Sequence, residues 1–393
     1  MSDHIKRNIL LTGSTGFLGS HLMNSLLKNG YNLIIPGRGK KAETLEQRIY
    51  KLLKWFGISD YSNRLKIIEA DYSKPLLGLS PALFKVTCSL TDSVIHCASD
   101  TCFSESKRDK VLQFNVDQLS GILELASAAQ VKSFSYISTA YAAGLNGQIC
   151  KEQLSSAKEF VNAYEESKAL AEKVITDHCK RYSIPLTIIR PTIVYGDSFT
   201  GRTLRFNAFY YPIRSLLNIR DIYLNDIRNH GAQKSAKQGI YLDKDGYLFL
   251  PLHFFLPKKG SINLIPVNYF VEVTQKIFER PGNGGIFHVC NGNPPNLDQL
   301  SDYIKDFLKI KGIEIIYGEP LNTGLLNPVE ELFERFIEPY RPYLSDDRIF
   351  DKTNTDFIAG EIQAPEMSYQ IFSRCMNYGI DVNWGDNIFK YGN

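Results

Sequence analysis

The chain predicts an α/β fold: a doubly wound parallel sheet with a smaller C-terminal substrate lobe. Three observations predict it. The apolar run Asn8–Thr12 ends in a turn with glycines at 13, 16 and 19 and passes into a helical pattern. Strand and helix patterns then alternate to about residue 197. After Gly201 that alternation is lost, and 393 residues exceed what one hydrophobic core usually serves.

Each element follows from its own pattern. Asn8–Thr12 is a short apolar run bounded by a glycine turn, which marks a buried strand. Phe17–Asn29 carries Leu18, Leu22, Leu26 and Leu27 at helix spacing, and Gly30 closes it as a C-cap. Tyr31–Ile35 is the second strand and completes a βαβ unit. The spacing predicts a helix over Ala42–Phe56, ended by Gly57. Leu65–Ala70, Ser93–His96 and Ser133–Ile137 read as further strands, with one helix over Asp109–Ala129 between the last two. A long helix, Phe160–Tyr182, precedes a strand at Leu186–Ile189. Residues 202 to 260 are rich in Arg, Asn and Tyr and show no clear period. Asn263–Val267 and Ile286–Val289 look like strands returning to the sheet, and Leu297–Leu308 like an amphipathic helix. Residues 1–200 are thus assigned to a Rossmann-type domain, with 260–292 returning to it. Residues 201–259 and 293–393 are assigned to a substrate-binding lobe. A ligand would sit between the lobes, beyond the carboxyl ends of the strands.

Composition excludes several classes. The balance of 44% apolar and 22% charged residues is that of an ordinary globular chain, and a net charge of +3 is too small to argue for nucleic acid or an anionic membrane. Seven scattered cysteines without a CxxC pair suit reduced thiols in a cytoplasmic protein and argue against a disulfide framework or a metal site. The start, Met1–Asn8, lacks the apolar core of a signal peptide. The most apolar stretch, Leu248–Leu256, is broken by Pro251 and His253 and falls far short of the ~20 residues that span a bilayer.

The turn reads Thr12-Gly13-Ser14-Thr15-Gly16-Phe17-Leu18-Gly19. A tight strand-to-helix turn needs positive φ at one position, and a pyrophosphate needs close approach to backbone at another. A third glycine allows close packing of helix on strand. Amides at the helix start, around Thr15, Phe17 and Leu18, would then meet the phosphates. Glycine triplets also mark ordinary turns; the flanking strand and helix are what favour a dinucleotide here. At the end of the second strand the chain has Pro36-Gly37-Arg38-Gly39-Lys40-Lys41, with no acid before Glu43. An acid there would hold a ribose 2′-hydroxyl, whereas Arg38 with Lys40 or Lys41 can grip a 2′-phosphate, so the expected cofactor is NADPH. The plainer reading of the same residues is a solvated basic turn.

Tyr164 and Lys168 stand four apart on a predicted helix and share one face. The lysine charge is expected to favour the tyrosinate and lower a phenol pKa of about 10. Tyr50 and Lys54 have the same spacing and read as helix surface. Context separates Tyr164: Ser138-Thr139 ends a predicted strand upstream, where a sheet presents groups to a ligand. Taken alone, Thr139 reads as a hydroxyl bonded to its own backbone. Together, Thr139, Tyr164 and Lys168 form a proton-delivery set for hydride chemistry. His96 reads as a packed or backbone-bonded histidine, and Cys97 and Cys102 as small buried residues rather than nucleophiles. The aromatics from Phe206 to Tyr211 could line an acyl pocket or pack a core. Leu248–Leu256 could touch a lipid chain or be a buried strand.

These motifs resemble the extended short-chain dehydrogenase/reductases. The match narrows to the thioester reductase and fatty acyl reductase branch, the male-sterility-type domains. Lys41–Gly57 resembles the helix those proteins insert after the second strand. Asp71-Tyr-Ser-Lys-Pro-Leu-Leu-Gly-Leu-Ser80, Val94-Ile-His-Cys-Ala98, Phe114-Asn-Val-Asp117 and Ile189-Arg-Pro-Thr-Ile-Val-Tyr-Gly-Asp197 continue the likeness, as does Ile262-Asn-Leu-Ile-Pro-Val267. It is strong over 8–200, moderate over about 260–310 and vague elsewhere. The resemblance implies Gly13, Gly16 and Gly19 at the pyrophosphate, Asp71 at the adenine and Ala98 near the cofactor. It implies Asn115 supporting the catalytic helix through a water or backbone bond, Lys168 on the nicotinamide ribose, and Pro191 to Ile193 flanking the nicotinamide. Ala70 departs from the family's usual Gly before Asp71.

The expected activity is NADPH-dependent reduction of an acyl thioester to an aldehyde, which a second hydride could carry on to the alcohol. The acyl group would ride on coenzyme A or on an acyl or peptidyl carrier protein met in trans. Two rivals remain. One keeps the fold and changes the substrate to a ketone, a sterol-like alcohol or a nucleotide sugar. The other is a non-catalytic NADPH-binding sensor, against which the Tyr/Lys pair argues.

Overall fold

The computed structural model describes residues 7–40, 42–59, 61, 63–145, 147–280, 284–318 and 326–389. The first half runs β1 (Asn8–Thr12), α1 (Phe17–Lys28), β2 (Asn32–Gly37), α2 (Leu45–Trp55), β3 (Leu65–Glu69), α3 (Pro81–Leu90), β4 (Ser93–His96), α4 (Arg108–Leu112), α5 (Leu119–Ala128), β5 (Ser133–Ile137), β6 (Ile149–Cys150), α6 (Ala163–Arg181), β7 (Leu186–Pro191) and β8 (Ile193–Tyr195). It continues α7 (Tyr210–Asn229), β9 (Tyr241–Leu242), β10 (Leu248–Leu256), β11 (Leu264–Pro266), α8 (Val267–Glu279), β12 (Gly285–Val289), α9 (Leu297–Leu308), β13 (Ile310–Tyr317), α10 (Pro328–Ile337), α11 (Arg341–Leu344), β14 (Ile349–Phe350), α12 (Thr353–Ala359) and α13 (Tyr369–Asp381).

Seven parallel strands form the main sheet in the order β12-β7-β5-β4-β1-β2-β3. The order reverses beside β1, the switch point at which doubly wound sheets bind ligands. Strand residues are apolar on both faces because helices cover both. Ile9, Leu11, Ile35, Ile95 and Ile137 pack into one cluster; Leu10, Ile34, Val94, Phe134 and Tyr136 pack into the other.

Ile286–Val289 returns to this sheet as expected, within β12. The other expected return strand does not: β11 pairs with β8 in a separate two-stranded ladder. The helix expected over Asp109–Ala129 is broken by a wide π turn at Gln113–Asp117. That turn carries the buried Asn115.

The smaller lobe contains a 20-residue helix, α7, where the sequence shows no clear period. Its buried residues Tyr210, Ile213, Leu216 and Ile219 step by three, and its first residue follows no capping side chain. Both features hide the helix from a search for four-residue steps and caps. β10 buries Leu248, Leu250, Leu252, Phe254 and Leu256 while Pro251 and His253 face outward. It lies between β13 and β9. The apparent breaks at Pro251 and His253 are the outer face of one alternating strand. The C-terminal region is not confined to this lobe: α12 packs on α8 and β12 beside the main sheet.

Candidate active site

The glycine turn is built by steric necessity. Gly13 has φ of +72°, and a Cβ there would lie 2.6 Å from the Ala98 nitrogen. A Cβ on Gly19 would collide with the Gly13 carbonyl. The Thr12 hydroxyl locks this arrangement: it accepts from the amides of Cys97 (3.1 Å) and Ala98 (3.2 Å) and meets His96 Nδ1 at 2.9 Å. Burial pushes His96 down to about 3, with Lys168 adding in the same sense, so the ring is neutral and can accept the Thr12 proton. His96 is thus a packed residue, held by a side chain rather than by backbone. Helix α1 then starts after its N-cap Gly16, which offers no side-chain cap and leaves the first-turn amides turned to the cleft. Such an end suits a pyrophosphate.

A cavity of about 720 Å³ opens beside this turn and runs into the smaller lobe. Gly13, Gly16, Phe17, Leu18 and Gly19 line one end. Thr139, Tyr164, Lys168, Pro191 and Ile193 line the same cavity, so β5, α6 and the β7–β8 connection deliver the expected trio to one place. Thr139 lies just past β5, where its hydroxyl makes only long bonds, to the Pro191 carbonyl (3.4 Å) and from the Tyr141 amide (3.4 Å). Thr139 is thus bonded to backbone and also lines the cavity. Lys168 Nζ donates to the Ile137 carbonyl at 2.8 Å and lies 4.6 Å from the centre of the Tyr136 ring.

The electrostatics reverse one expectation. The Tyr164 phenol is pushed up, first by burial and then by Cys97 and Glu165, rather than drawn down by the lysine. Burial instead draws Lys168 down to about 8, against Cys97 and Glu172. The physical reason is depth: both groups are largely removed from water, and desolvation disfavours each charged form. A protonated phenol is a donor, which is the form a general acid needs.

Asn115 lies off the cavity and acts on α6. Its Nδ2 donates to Ser167 Oγ and to the Asp100 carbonyl, both at 2.9 Å, and Ser167 Oγ donates to the Tyr164 carbonyl. The support expected through water or backbone is in part a direct side-chain bond. Thr15, Arg38, Asp71 and Ala98 also stand outside the cavity wall. The Asp71 carboxylate accepts from the Ser73 amide and hydroxyl, at 3.1 and 2.6 Å. Arg38 is exposed just after β2, and its carbonyl accepts from Arg48 Nη1 at 2.9 Å. Lys41 lies outside the described residues.

Several residues of the site escape the sequence reading. Arg48, on the inserted helix α2, stands within Coulombic reach of Arg38 and of Arg205, which lines the cavity. Glu69, at the end of β3, accepts from the amides of Gly39 (3.1 Å) and Leu45 (2.9 Å), so this acid is bound to backbone. Phe103 packs on Tyr164 and on Tyr343. Tyr343 Oη in turn donates to Glu165 Oε1 at 2.8 Å, beside Tyr164. Only basic residues near the turn offered a local signal; Tyr343 is 178 residues from Glu165 and offered none.

Cys97 and Cys102 line the cavity half-buried, and burial pushes the Cys97 thiol up to about 11, so it is not a ready nucleophile. All seven cysteines are free thiols. No group of metal-ligating side chains occurs among the described residues, and no helix among them is long and apolar enough to cross a membrane.

The parallel sheet, the glycine turn and the Tyr-x-x-x-Lys helix are those of an extended short-chain dehydrogenase/reductase. Within that class the chain belongs to the male sterility protein family of NAD-binding domains, matched over residues 11–274. It is 28% identical over 242 residues to fatty acyl-CoA reductase 1 of Rattus norvegicus, covering 51% of this chain and 46% of that protein. It is 29% identical over 203 residues to the NRPS-like oxidoreductase fscA of Fusarium equiseti, covering 50% of this chain and 19% of that one. The chain thus spans less than half the length of these two relatives. Among solved structures, the terminal R domain of the myxalamid PKS-NRPS pathway superposes with a TM-score of 0.75 at 21% identity, covering 98% of this chain and 93% of that one. That likeness is one of fold.

Proposed function

We propose that this protein is an NADPH-dependent reductase of acyl thioesters, acting in the cytoplasm on an acyl group carried by coenzyme A or by an acyl or peptidyl carrier protein. The observation that carries the reading is the convergence of Thr139, Tyr164 and Lys168 on a cavity that begins at the glycine turn. The turn and the open start of α1 would hold the pyrophosphate. Lys168 would hold the nicotinamide ribose, with Pro191 and Ile193 flanking the ring. Ala98 backs the turn, and Asp71 would bond the adenine. Arg38 and Arg48 would hold the 2′-phosphate, with Glu69 occupied by backbone amides. Bound there, the cofactor supplies hydride.

The chain's own groups do the rest. Thr139 and Tyr164 donate hydrogen bonds to the thioester carbonyl oxygen, where negative charge builds in the transition state. Tyr164 stays protonated at neutral pH because it is buried, and it passes its proton to that oxygen. The hemithioacetal so formed breaks its C–S bond, its hydroxyl proton passing to the departing sulfur, and gives an aldehyde and a free thiol; a second hydride and proton would take the aldehyde on to the alcohol. The mostly apolar wall of the cavity favours an acyl group over a nucleotide sugar.

Product analysis after incubation with NADPH or NADH tests this, with octanoyl coenzyme A, acetoacetyl coenzyme A and a nucleotide sugar supplied separately. The expected result is octanal or octanol from octanoyl coenzyme A, with NADPH preferred. Turnover of acetoacetyl coenzyme A at its ketone, or of the sugar, with none of the octanoyl thioester would overturn the reading.

A further inference from the structure

Tyr164 is the second residue of α6, so whatever fixes the first turn of that helix fixes the phenol. A ring of three hydrogen bonds closes that turn. Asn162, the N-cap, accepts from the Glu165 amide through Oδ1 at 3.1 Å. Its Nδ2 donates to Tyr343 Oη at 2.8 Å, and Tyr343 Oη donates to Glu165 Oε1 at 2.8 Å. Two members of the ring flank Tyr164 in the chain. The third arrives from α11, 178 residues beyond Glu165.

The carboxylate at the centre has its bonds made on every side. Glu165 also accepts from the Val161 amide at 3.2 Å and from both terminal nitrogens of Arg348 at 3.3 Å. Arg348 is held in turn by Asp346, Nη2 to Oδ2 at 2.7 Å. The Glu165 and Arg348 side chains are 0% and 4% exposed. An apolar route runs beside the polar one: Phe103 packs on Tyr164 and on Tyr343, with ring centres 5.6 Å apart in each case. Tyr141 sets its edge against Tyr343 from the other side. Tyr340, Tyr343 and Leu344 also line the cavity, so the segment that holds the helix borders the substrate's space.

Stability alone is a weak account of such a cluster. Burying an ion pair costs desolvation, and apolar side chains of similar volume often do as well. What a fully bonded buried cluster supplies is a fixed place for its neighbours. A proton donor needs that, because an error of about 1 Å in its position can cost on the order of a hundredfold in rate.

We propose that Tyr343 and Glu165 are positioning residues for the proton donor, and that the ring through Asn162, Tyr343 and Glu165 fastens the first turn of α6 so that the Tyr164 hydroxyl is held at the reacting oxygen. The inference rests on the reading of Tyr164 as general acid, whichever carbonyl it serves.

The test measures kcat and KM with NADPH and octanoyl coenzyme A, or with acetoacetyl coenzyme A or a nucleotide sugar if the parent turns over one of those instead. Tyr343→Phe keeps the ring contacts and removes only Oη. It should lower kcat by about ten- to a hundredfold, the scale of a misplaced group, with KM for NADPH unchanged. Glu165→Gln keeps an acceptor for Tyr343 and leaves Arg348 with Asp346, so it should be faster than Glu165→Ala. In a Tyr164→Phe background, Tyr343→Phe should cost nothing more, because the group it positions is gone. Amide hydrogen exchange over residues 160–170 needs no substrate and should quicken in Tyr343→Phe. Tyr182→Phe, at an exposed site on the far end of α6, is the control and should match the parent in rate and exchange. The same fold-loss from Tyr343→Phe with and without Tyr164 would mean that Tyr343 acts on substrate or fold by itself, and would overturn the proposal. So would unchanged kcat or unchanged exchange, and each leaves Tyr164 as the acid. Tyr164→Phe turning over as fast as the parent would overturn the general-acid reading and this role with it.

Discussion

At the residue scale, the roles of Tyr164 and of the basic turn separate cleanly. In the proposed reaction Tyr164 acts on substrate oxygen, whereas the glycine turn would hold the pyrophosphate end of the cofactor. Tyr164→Phe should therefore lower kcat by ~10²–10⁴-fold, the usual worth of a general acid, with NADPH binding by fluorescence titration nearly unchanged. Tyr50→Phe is the control, since Tyr50 is exposed and bonded to Glu46. Equal losses in the two variants would remove the catalytic assignment. Arg38→Ala and Arg48→Ala should each weaken NADPH about tenfold, as for loss of a charge-assisted contact at a solvent-exposed site, and leave NADH unmoved. Parallel losses for both cofactors would mean that these arginines do not read the 2′-phosphate. The sequence made Arg38 visible through its place at the end of β2. Arg48 became visible only when α2 folded back and bonded the Arg38 carbonyl.

At the element scale, a buried network ties the catalytic helix to the sheet. Arg190 of β7 is bonded to Glu172 of α6 through Nε at 2.8 Å and Nη2 at 2.5 Å. Glu172 also accepts from Ser138 Oγ at 2.6 Å, next to Thr139, and Arg190 Nη1 meets His288 Nε2 of β12 at 3.2 Å. Both charged groups are fully buried. Arg190→Met would strand the carboxylate, and we expect a loss of ~3–5 kcal/mol in urea unfolding. The double variant Arg190→Met/Glu172→Met should recover much of that, because the uncompensated charge is gone. A single variant within 1 kcal/mol of the parent, by the same ~3–5 kcal/mol yardstick, would show that the pair carries little. From the sequence, Glu172 is simply the residue one turn beyond Lys168, and Arg190 the residue before Pro191. Nothing local announces that they meet. Helix α7 was hidden for a different reason: its three-residue stripe and uncapped start give weak local signals, and burial against the smaller lobe's other elements supplies what propensity does not.

At the scale of the whole molecule, three histidines among the described residues are buried and held neutral. Burial leads in each case: it lowers His21 to about 4, His96 to about 3 and His288 to about 3, with Arg190 adding to the effect on His288. Their unfolded forms protonate near pH 6.5. Below that pH the unfolded chain binds protons that the folded chain does not, so stability falls as pH drops from 6.5 toward 4. Each histidine contributes ~1.4 kcal/mol per pH unit, and urea unfolding should show His96→Asn removing about one such share of the slope. A pH-independent stability between 6.5 and 4.5 would contradict their neutral burial. The main sheet, the glycine turn and the candidate catalytic trio were legible in the sequence because each rests on local periodicity or on a short motif. The strand-turn-helix around Gly13 and the four-residue step from Tyr164 to Lys168 need no distant partner to be recognised. Only the tertiary structure decided the raised phenol of Tyr164, the side-chain bond from Asn115 to α6 and the reach of Tyr343 to Glu165. Burial, and pairing across more than a hundred residues, are properties of the folded packing, which no local pattern of residues encodes.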